Sequence, residues 1–297
     1  MLVRLHVVLP FDVALPEGEQ IRLYTYEEDG CVITVYPPMR SDAPSNSAPP
    51  ESVKINGVTA IIANGLQIDF QRSEFDRTPG SPEDPPSAVL QRAVDSFIER
   101  LRYVARAAHV HAVSLQTTTW RLRYLDDEGS ELPTSSKVVG RGGNAFRWSL
   151  VGVNKTLWDQ LHELPGDFTP PPWDGLRLDA QAALPHVGTA VVLAATALEV
   201  FIEVMLEQLA ARSDVPKNLW QWVVSRKNPL CNPDVEEQFD TLLGHFVGHS
   251  LKENPDLWGS FMNLKRARNT FVHEGVATIG EQPVTVQQAG LLVGCNG

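Results

Sequence analysis

The spacing of hydrophobic positions divides the chain into two parts. In the first part, short runs of apolar and β-branched residues are separated by Asp-Gly, Asn-Gly and proline-rich breaks, which predicts β-strands. The predicted strands cover residues 2–9, 20–25, 31–36, 57–63, 66–71, 111–125 and 145–151. Two stretches, 37–52 and 77–87, are too polar and too rich in proline to bury a core, so they are predicted loops.

One helical pattern interrupts these strands. Between residues 88 and 106 the apolar side chains recur every three or four positions, which is typical of an amphipathic helix. These positions are Leu90, Ala93, Phe97, Leu101 and Val104. The first part of the chain is therefore predicted to form a β-rich domain with one helix.

The pattern changes after residues 163–175, where three consecutive prolines stiffen the backbone and remove hydrogen-bond donors. Beyond them, helices are predicted at 189–211, 219–224, 235–247 and 254–275. The sequence thus predicts a two-domain α+β fold. A β-rich sensor or accessory domain covers 1–165, and an all-α helical bundle covers 176–297.

Composition narrows the possible functions. The net charge of -11 disfavours broad electrostatic capture of nucleic acid, so any nucleic-acid site must be local. No uninterrupted apolar run reaches the ~20 residues of a membrane helix, and the first residues do not resemble a signal peptide. Cys31, Cys231 and Cys295 are too few and too far apart for a disulfide framework or a zinc site. We expect a cytoplasmic protein without a membrane span.

The helix predicted at 254–275 carries the candidate chemistry. Asn254 is its expected N-cap, Pro255 its first residue and Gly275 its C-terminal cap. One side of the helix is predicted to follow Leu257, Phe261, Leu264, Arg268 and Val272. Arg268 would then stand where an apolar residue is expected, and a guanidinium in such a place needs acceptors for its five donors.

Asn269 and His273 are one turn apart on this helix and face the same way, while Arg268 lies about 100° around it from Asn269. The three side chains can line one concave site. Alternatively, Arg268 pairs with Glu199 of the preceding long helix, and His273 serves only as a residue of the last turn.

The segment Arg268-Asn269-Thr270-Phe271-Val272-His273 resembles the motif of HEPN-domain proteins, in which an arginine and a polar residue precede a histidine. The upstream segment ATALEVFIEVMLEQL, residues 195–209, is similar to the long helix of the Apea-like branch of that family. The resemblance covers roughly residues 176–297. One departure is Gly275, where members silenced by nucleotide transfer carry a tyrosine, so that regulation is not expected here.

The resemblance implies a dimeric helical bundle that cleaves RNA without a metal or another cofactor, in antiviral defence or a stress response. Arg268, Asn269 and His273 would be the catalytic residues. Lys265 and Arg266 would supply local positive charge for the RNA, and Glu199 would support the site. Since one chain supplies one motif histidine, a two-fold dimer would supply both a base and an acid. The ligand of the N-terminal domain stays unknown.

The sequence leaves two alternatives to the ribonuclease hypothesis open. The first is a non-catalytic HEPN module that uses the same groove to bind a nucleotide, RNA or a protein partner. The second is a metal site at His245 and His249, whose spacing fits one face of a helix but which lack the glutamate of a HEXXH motif. Trp220 and Trp222 are predicted to be core or domain-contact residues.

Overall fold

The fold was analysed in a computed structural model. It describes residues 2–18, 21–28, 30–41, 52–55, 58–71, 87–126, 128–132, 137–139, 150–225 and 232–294. The chain divides into two compact units, Met1–Pro170 (unit 1) and Pro171–Gly297 (unit 2). The division falls inside the proline-rich segment 163–175. Unit 1 contains an antiparallel β-sheet and unit 2 is helical, as an α+β protein requires.

The sheet of unit 1 is built around its first strand. Its strands are β1 (Leu2–Pro16), β2 (Tyr24–Glu28), β3 (Cys31–Val35), β4 (Ser52–Ile55), β5 (Val58–Gln71), β6 (Trp120–Leu125), β7 (Lys137–Val139) and β8 (Leu150–Gly152). The main order is β2-β3-β5-β1-β6-β7, and all neighbours on this path are antiparallel. β4 pairs with β5, and β8 pairs with β1 in parallel.

Strict alternation along β1 decides which face of the sheet is buried. Val3, Leu5, Val7 and Leu9 are at most 1% exposed, while the residues between them are half-buried. Helix α1 (Ser87–Ala105) covers this face and contributes its own apolar side to the same core. The helix predicted at 88–106 is therefore confirmed.

A second helix, α2 (Lys155–Glu163), joins this core, so the prediction of one helix in the N-terminal domain was wrong. Asn154 caps it by accepting a hydrogen bond from the Leu157 amide, and Trp158 and Leu161 are buried. A helix of this length has only two buried positions, so the apolar spacing in the sequence is too short to identify it.

Arg100 of α1 closes the C-terminal end of α2. Its side chain is 1% exposed and donates to the carbonyl oxygens of Leu164 (3.0 Å) and Gly166 (2.9 Å), and also to that of Pro165. The last carbonyls of a helix lack partners within the helix. Arg100 supplies a partner for the C-cap carbonyl of Leu164 and binds two carbonyls of the segment that follows the helix, and in return these oxygens solvate a buried cation.

Several predicted strand boundaries in unit 1 were wrong. The strand predicted at 2–9 continues to Pro16, and the strand predicted at 20–25 is β2. The strands predicted at 57–63 and 66–71 are the single strand β5. Of the strand predicted at 111–125, only β6 forms; Gln91 holds the preceding segment by donating to the Val113 carbonyl (2.8 Å) and accepting from the Leu115 amide (2.9 Å). Most residues of the predicted loops 37–52 and 77–87, and residues 145–149 of the last predicted strand, lie outside the described residues.

Unit 2 is organised around one long helix. Its helices are α3 (Pro172–Ala182), α4 (Val187–Arg212), α5 (Lys217–Val224), α6 (Val235–Glu237), α7 (Leu243–Val247), α8 (Pro255–Glu274) and α9 (Val286–Leu292). A π-helical turn, Gln238–Leu242, joins α6 to α7, and a short hairpin of β9 (Thr278–Ile279) and β10 (Gln282–Pro283) follows α8. The predicted helices 189–211, 219–224 and 254–275 are confirmed.

Helix α3 was not predicted. It begins at Pro172, inside the segment that was interpreted as a boundary, because proline is well tolerated at the first position of a helix. The helical unit thus starts before residue 176.

Helix α4 passes through both cores of unit 2. One core contains Ala190, Val191 and Ala194, and the other contains Ile202 and Leu206. Among the described residues, α4 is the one helix long and apolar enough to cross a membrane by length and composition. The core helix of a water-soluble protein meets the same criterion, and α4 packs against α3, α8 and α9.

Candidate functional site

The candidate site lies on α8, and both ends of this helix are as predicted. The Asn254 side chain accepts a hydrogen bond from the Leu257 amide (3.2 Å), and Pro255 is the first residue. Gly275 ends the helix in the left-handed conformation (φ 77°), and its amide donates to the Phe271 carbonyl (2.8 Å). These caps place His273 in the last helical turn.

The buried side of α8 differs from the predicted one. Phe261, Leu264 and Ala267 are buried, whereas Leu257 and Val272 are each 55% exposed. The buried line therefore turns from Leu264 towards Ala267. Arg268 is half-buried at the edge of this line. The prediction that it occupies a core position was therefore wrong.

Phe271, inside the motif, fixes α8 against α4. A Cβ atom built on Gly188 of α4 would lie 1.9 Å from the nearest ring atom of Phe271. The ring therefore occupies space that any other residue at 188 would fill. The glycine allows a close approach of the two helices at the turn that carries the candidate residues.

Arg268 has an unusual environment. Its Nη1 donates to Oδ1 of Asn269 at 3.0 Å, and its buried Nε has no hydrogen-bond partner among the described residues. In the part of the chain that the structure describes, Arg268 forms no ion pair within 4.0 Å, and the pairing with Glu199 that was the alternative interpretation is not formed. A buried donor without an acceptor calls for a ligand or another explanation.

Asn269 and His273 continue the site towards the helix end. Asn269 is half-buried, and its carbonyl oxygen is oriented towards Arg268. His273 is exposed, and so is Arg266 on the adjoining side of the helix. Arg268, which is held by Asn269, thus lies in the turn of α8 before the exposed imidazole of His273.

Lys265 is engaged with acidic residues. Its Nζ donates to Glu236 (2.6 Å) and lies 3.5 Å from a carboxylate oxygen of Asp234. Hydrogen bonding from the Glu237 amide lowers the pKa of Asp234, and the charge of Lys265 lowers it further. Of the two cations predicted to bind RNA, Lys265 is therefore offset by carboxylates, whereas Arg266 has no ion pair among the described residues.

Glu199 belongs to a different part of the surface. Together with Lys265, Leu198 and Phe261 it lines a shallow hollow between α4, α6 and α8. A supporting role for Glu199 at Arg268 has no contact to carry it in this arrangement.

Thr270 lies inside the motif and has a structural role that the sequence analysis did not assign to it. Its Oγ1 accepts a hydrogen bond from the Thr278 amide (2.8 Å) and lies 3.1 Å from the Ala267 carbonyl, to which it can donate. It therefore ties the hairpin after α8 back onto the helix. A hydroxyl one turn after Arg266 was visible in the sequence, but its partner at 278 was not.

The remaining predictions concern the histidine pair at 245 and 249 and the two tryptophans of α5. Gly248 is in the left-handed conformation between His245 and His249 and ends α7, so the two histidines do not share a helix face as their spacing suggested. The His249 ring lies 3.0 Å from Glu253. Trp220 is buried, as predicted for a core residue, but Trp222 is 61% exposed.

Comparisons with protein-family models, with curated proteins and with solved structures found no match for this chain. The resemblance to HEPN domains noted in the sequence therefore has no support beyond the motif residues and the order of the helices.

Proposed function

We propose that unit 2 is a metal-independent endoribonuclease of the HEPN type. The observation that carries the proposal is Arg268, which has no carboxylate partner among the described residues and is held by Asn269 in the turn before the exposed His273. A cation, a group that orients it and a titratable side chain are what the transesterification of RNA needs.

In the proposed reaction, His273 accepts the proton of the ribose 2′-hydroxyl. The 2′-oxygen attacks phosphorus, and the bond to the 5′-oxygen breaks. The histidine of a second copy donates a proton to the departing 5′-oxygen, so the products are a 2′,3′-cyclic phosphate and a 5′-hydroxyl. Arg268 stabilises the additional negative charge on the phosphate oxygens, because guanidinium groups can bind them in pairs.

The contact between Arg268 and Asn269 refines the role of the asparagine. Its carbonyl oxygen accepts from the guanidinium, so Asn269 is assigned to orienting Arg268. An acceptor that is neutral leaves the positive charge available for phosphate, which a carboxylate would not.

The test uses the purified full chain and a labelled single-stranded RNA. Cleavage should persist in EDTA and should fall by roughly 100-fold or more in Arg268→Ala and in His273→Ala. Arg212→Ala and His245→Ala are matched controls, since both residues are exposed in the same unit and lie on α4 and α7. The controls should cleave at the rate of the unaltered protein.

A 2′-deoxy substrate tests the chemistry itself. It should resist cleavage, because it lacks the nucleophile. Cleavage of the deoxy strand, or equal rates in His273→Ala and His245→Ala, would show that another reaction is taking place.

The second candidate function is a binding module without catalysis. It is favoured by the presence of a single motif histidine in each chain, which leaves a monomer without a separate base and acid. RNA that is bound but never cut, with binding lost in Arg268→Ala, would identify this function.

A further inference from the structure

The face of the unit 1 sheet opposite α1 is polar. The register places Arg4 of β1 between Asp69 of β5 on one side and Arg123 of β6 on the other. In the next row of the same face, Arg121 of β6 lies opposite His6 of β1. Cationic residues of two adjacent strands therefore lie side by side, although directly opposed like charges destabilise a sheet.

Arg4 is held rigidly within this face. Its Nε and Nη2 donate to the two carboxylate oxygens of Asp69 at 2.7 and 2.8 Å, and its guanidinium lies 5.5 Å from the centre of the Tyr36 ring. Tyr36 also donates its hydroxyl hydrogen to Asp69 at 2.8 Å. Asp69 is 2% exposed, so its negative charge is committed to Arg4.

Arg121 and Arg123 share one carboxylate. Nη2 of Arg121 donates to Glu131 at 3.3 Å, and Nη1 of Arg123 lies 3.8 Å from the other oxygen of Glu131. Glu131 is 41% exposed, so solvent weakens both contacts. Each arginine has five donors, and among the described residues the buried Nε atom of each has no hydrogen-bond partner.

The arginine face, defined by Arg4, Arg121 and Arg123, thus has three cations and, among the residues that the structure describes, two anions paired with them, Asp69 and Glu131. Its two outer guanidinium groups are 37% and 28% exposed and are therefore within reach of a ligand. A phosphate group has several acceptor oxygens on a tetrahedral centre and can accept from two guanidinium groups at once.

We propose that the arginine face binds a phosphate group, with Arg121 and Arg123 contacting it and Arg4 fixing the adjacent strand. The source of the phosphate is a free nucleotide or the backbone of a nucleic-acid strand, which share this chemistry. The proposal is independent of the ribonuclease activity proposed for unit 2 and assigns a ligand class to unit 1.

The test is calorimetric titration of the full chain with inorganic phosphate, with ADP and with a short single-stranded RNA at low ionic strength. Saturable binding should weaken at least ~10-fold in Arg121→Gln and in Arg123→Gln, since each removes charged donors to phosphate. Arg92→Gln is the matched control: Arg92 is also in unit 1 but donates to Glu28 at 2.7 Å. Arg123→Lys, which keeps the charge but not the fork, should retain part of the affinity.

The three probes distinguish a free nucleotide from a nucleic-acid strand as the source of the phosphate. Binding of ADP and phosphate assigns the site to a nucleotide, and binding of RNA alone assigns it to a strand. No binding of any probe to the folded protein overturns the proposal, as does binding that is equally strong in Arg121→Gln, Arg123→Gln and Arg92→Gln. The titrations are carried out in the Arg268→Ala background, which lacks the cation proposed to bind phosphate in unit 2. Binding that is lost on adding Arg121→Gln to this background then belongs to unit 1, so the failure of one proposal does not imply the failure of the other.

Discussion

Replacing Gly188 with alanine tests the packing that fixes the candidate site. The added methyl group would lie 1.9 to 2.3 Å from three ring atoms of Phe271, and carbon atoms in contact are normally separated by about 3.5 to 4.0 Å. The ring is half-buried and belongs to the edge of the core between α4 and α8. It must therefore move, or the two helices must separate.

Two opposing effects set the size of the change. Alanine is favoured over glycine in a helix by up to about 1 kcal/mol, and less in the first turn, where Gly188 lies. Overpacking costs roughly 1–3 kcal/mol when neighbouring groups are displaced. We expect Gly188→Ala to lower the free energy of unfolding of unit 2 by about 1–2 kcal/mol, because an overlap of this depth outweighs the propensity.

Urea unfolding of Gly188→Ala, Phe271→Ala and the double variant measures the coupling between the two residues. Once the ring is absent, Gly188→Ala should be neutral or stabilising by up to about 1 kcal/mol. Gly259→Ala is the matched control, because a Cβ atom at this helical position of α8 meets nothing within 4 Å. If Gly188→Ala stabilises the protein as much as Gly259→Ala does, the close approach of α4 and α8 is refuted.

Three further measurements address other parts of the protein. Arg100→Met should cost about 3 kcal/mol of unfolding free energy, because a buried side chain loses its contacts and the carbonyl oxygens of Leu164 and Gly166 lose their donor; a loss below about 1 kcal/mol would contradict this role. Burial, and secondarily the charge of His111, lowers the pKa of His109. The folded state then binds the proton less readily than the unfolded state, so stability should fall as the pH drops from about 6.5 towards the folded-state pKa, and His109→Gln should remove that decrease in a pH series of thermal melts. In RNA binding measured against salt, Arg266→Ala should reduce the slope by about 1, whereas Lys265→Ala should leave it unchanged because carboxylates already offset that lysine; equal slopes would contradict the difference between them.

The features predicted correctly from the sequence are those that local chemistry determines. Asn254, Pro255 and Gly275 mark the ends of α8 because capping and left-handed geometry depend only on neighbouring residues. The same holds for α1, whose apolar spacing is regular over its whole length.

Contacts between distant residues explain the incorrect boundaries. Asn64-Gly65 looks like a hairpin turn, yet β5 runs straight through it. The Asn64 side chain accepts from the Ser41 amide (2.9 Å), and a Cβ on Gly65 would lie 3.0 Å from the Met39 carbonyl oxygen. The glycine therefore marks a close approach of another backbone segment, which the linear sequence does not reveal.

At the candidate site too, the features set by neighbouring residues were predicted correctly and those set by distant contacts were not. The position of His273 followed from the cap at Gly275, but the side of α8 that is buried did not follow from a stripe through Arg268. Which of two adjacent positions is buried depends on how α8 packs against α4, and Gly188 decides that packing through its contact with Phe271. The ion pairs of Lys265 were likewise invisible, since their partners are remote in sequence.

The two cores of unit 2 have a consequence for how this unit can come apart. Leu198 of α4 packs against both cores, and α8 contributes Phe261 to one and Leu264 to the other. Because α4 contributes residues to both cores, neither core stays packed when α4 unfolds. Unfolding of one core therefore exposes apolar residues of the other. The amide protons in the middle of α4 should therefore exchange with solvent only when the whole unit unfolds, and a cut within this helix leaves neither half able to stay folded.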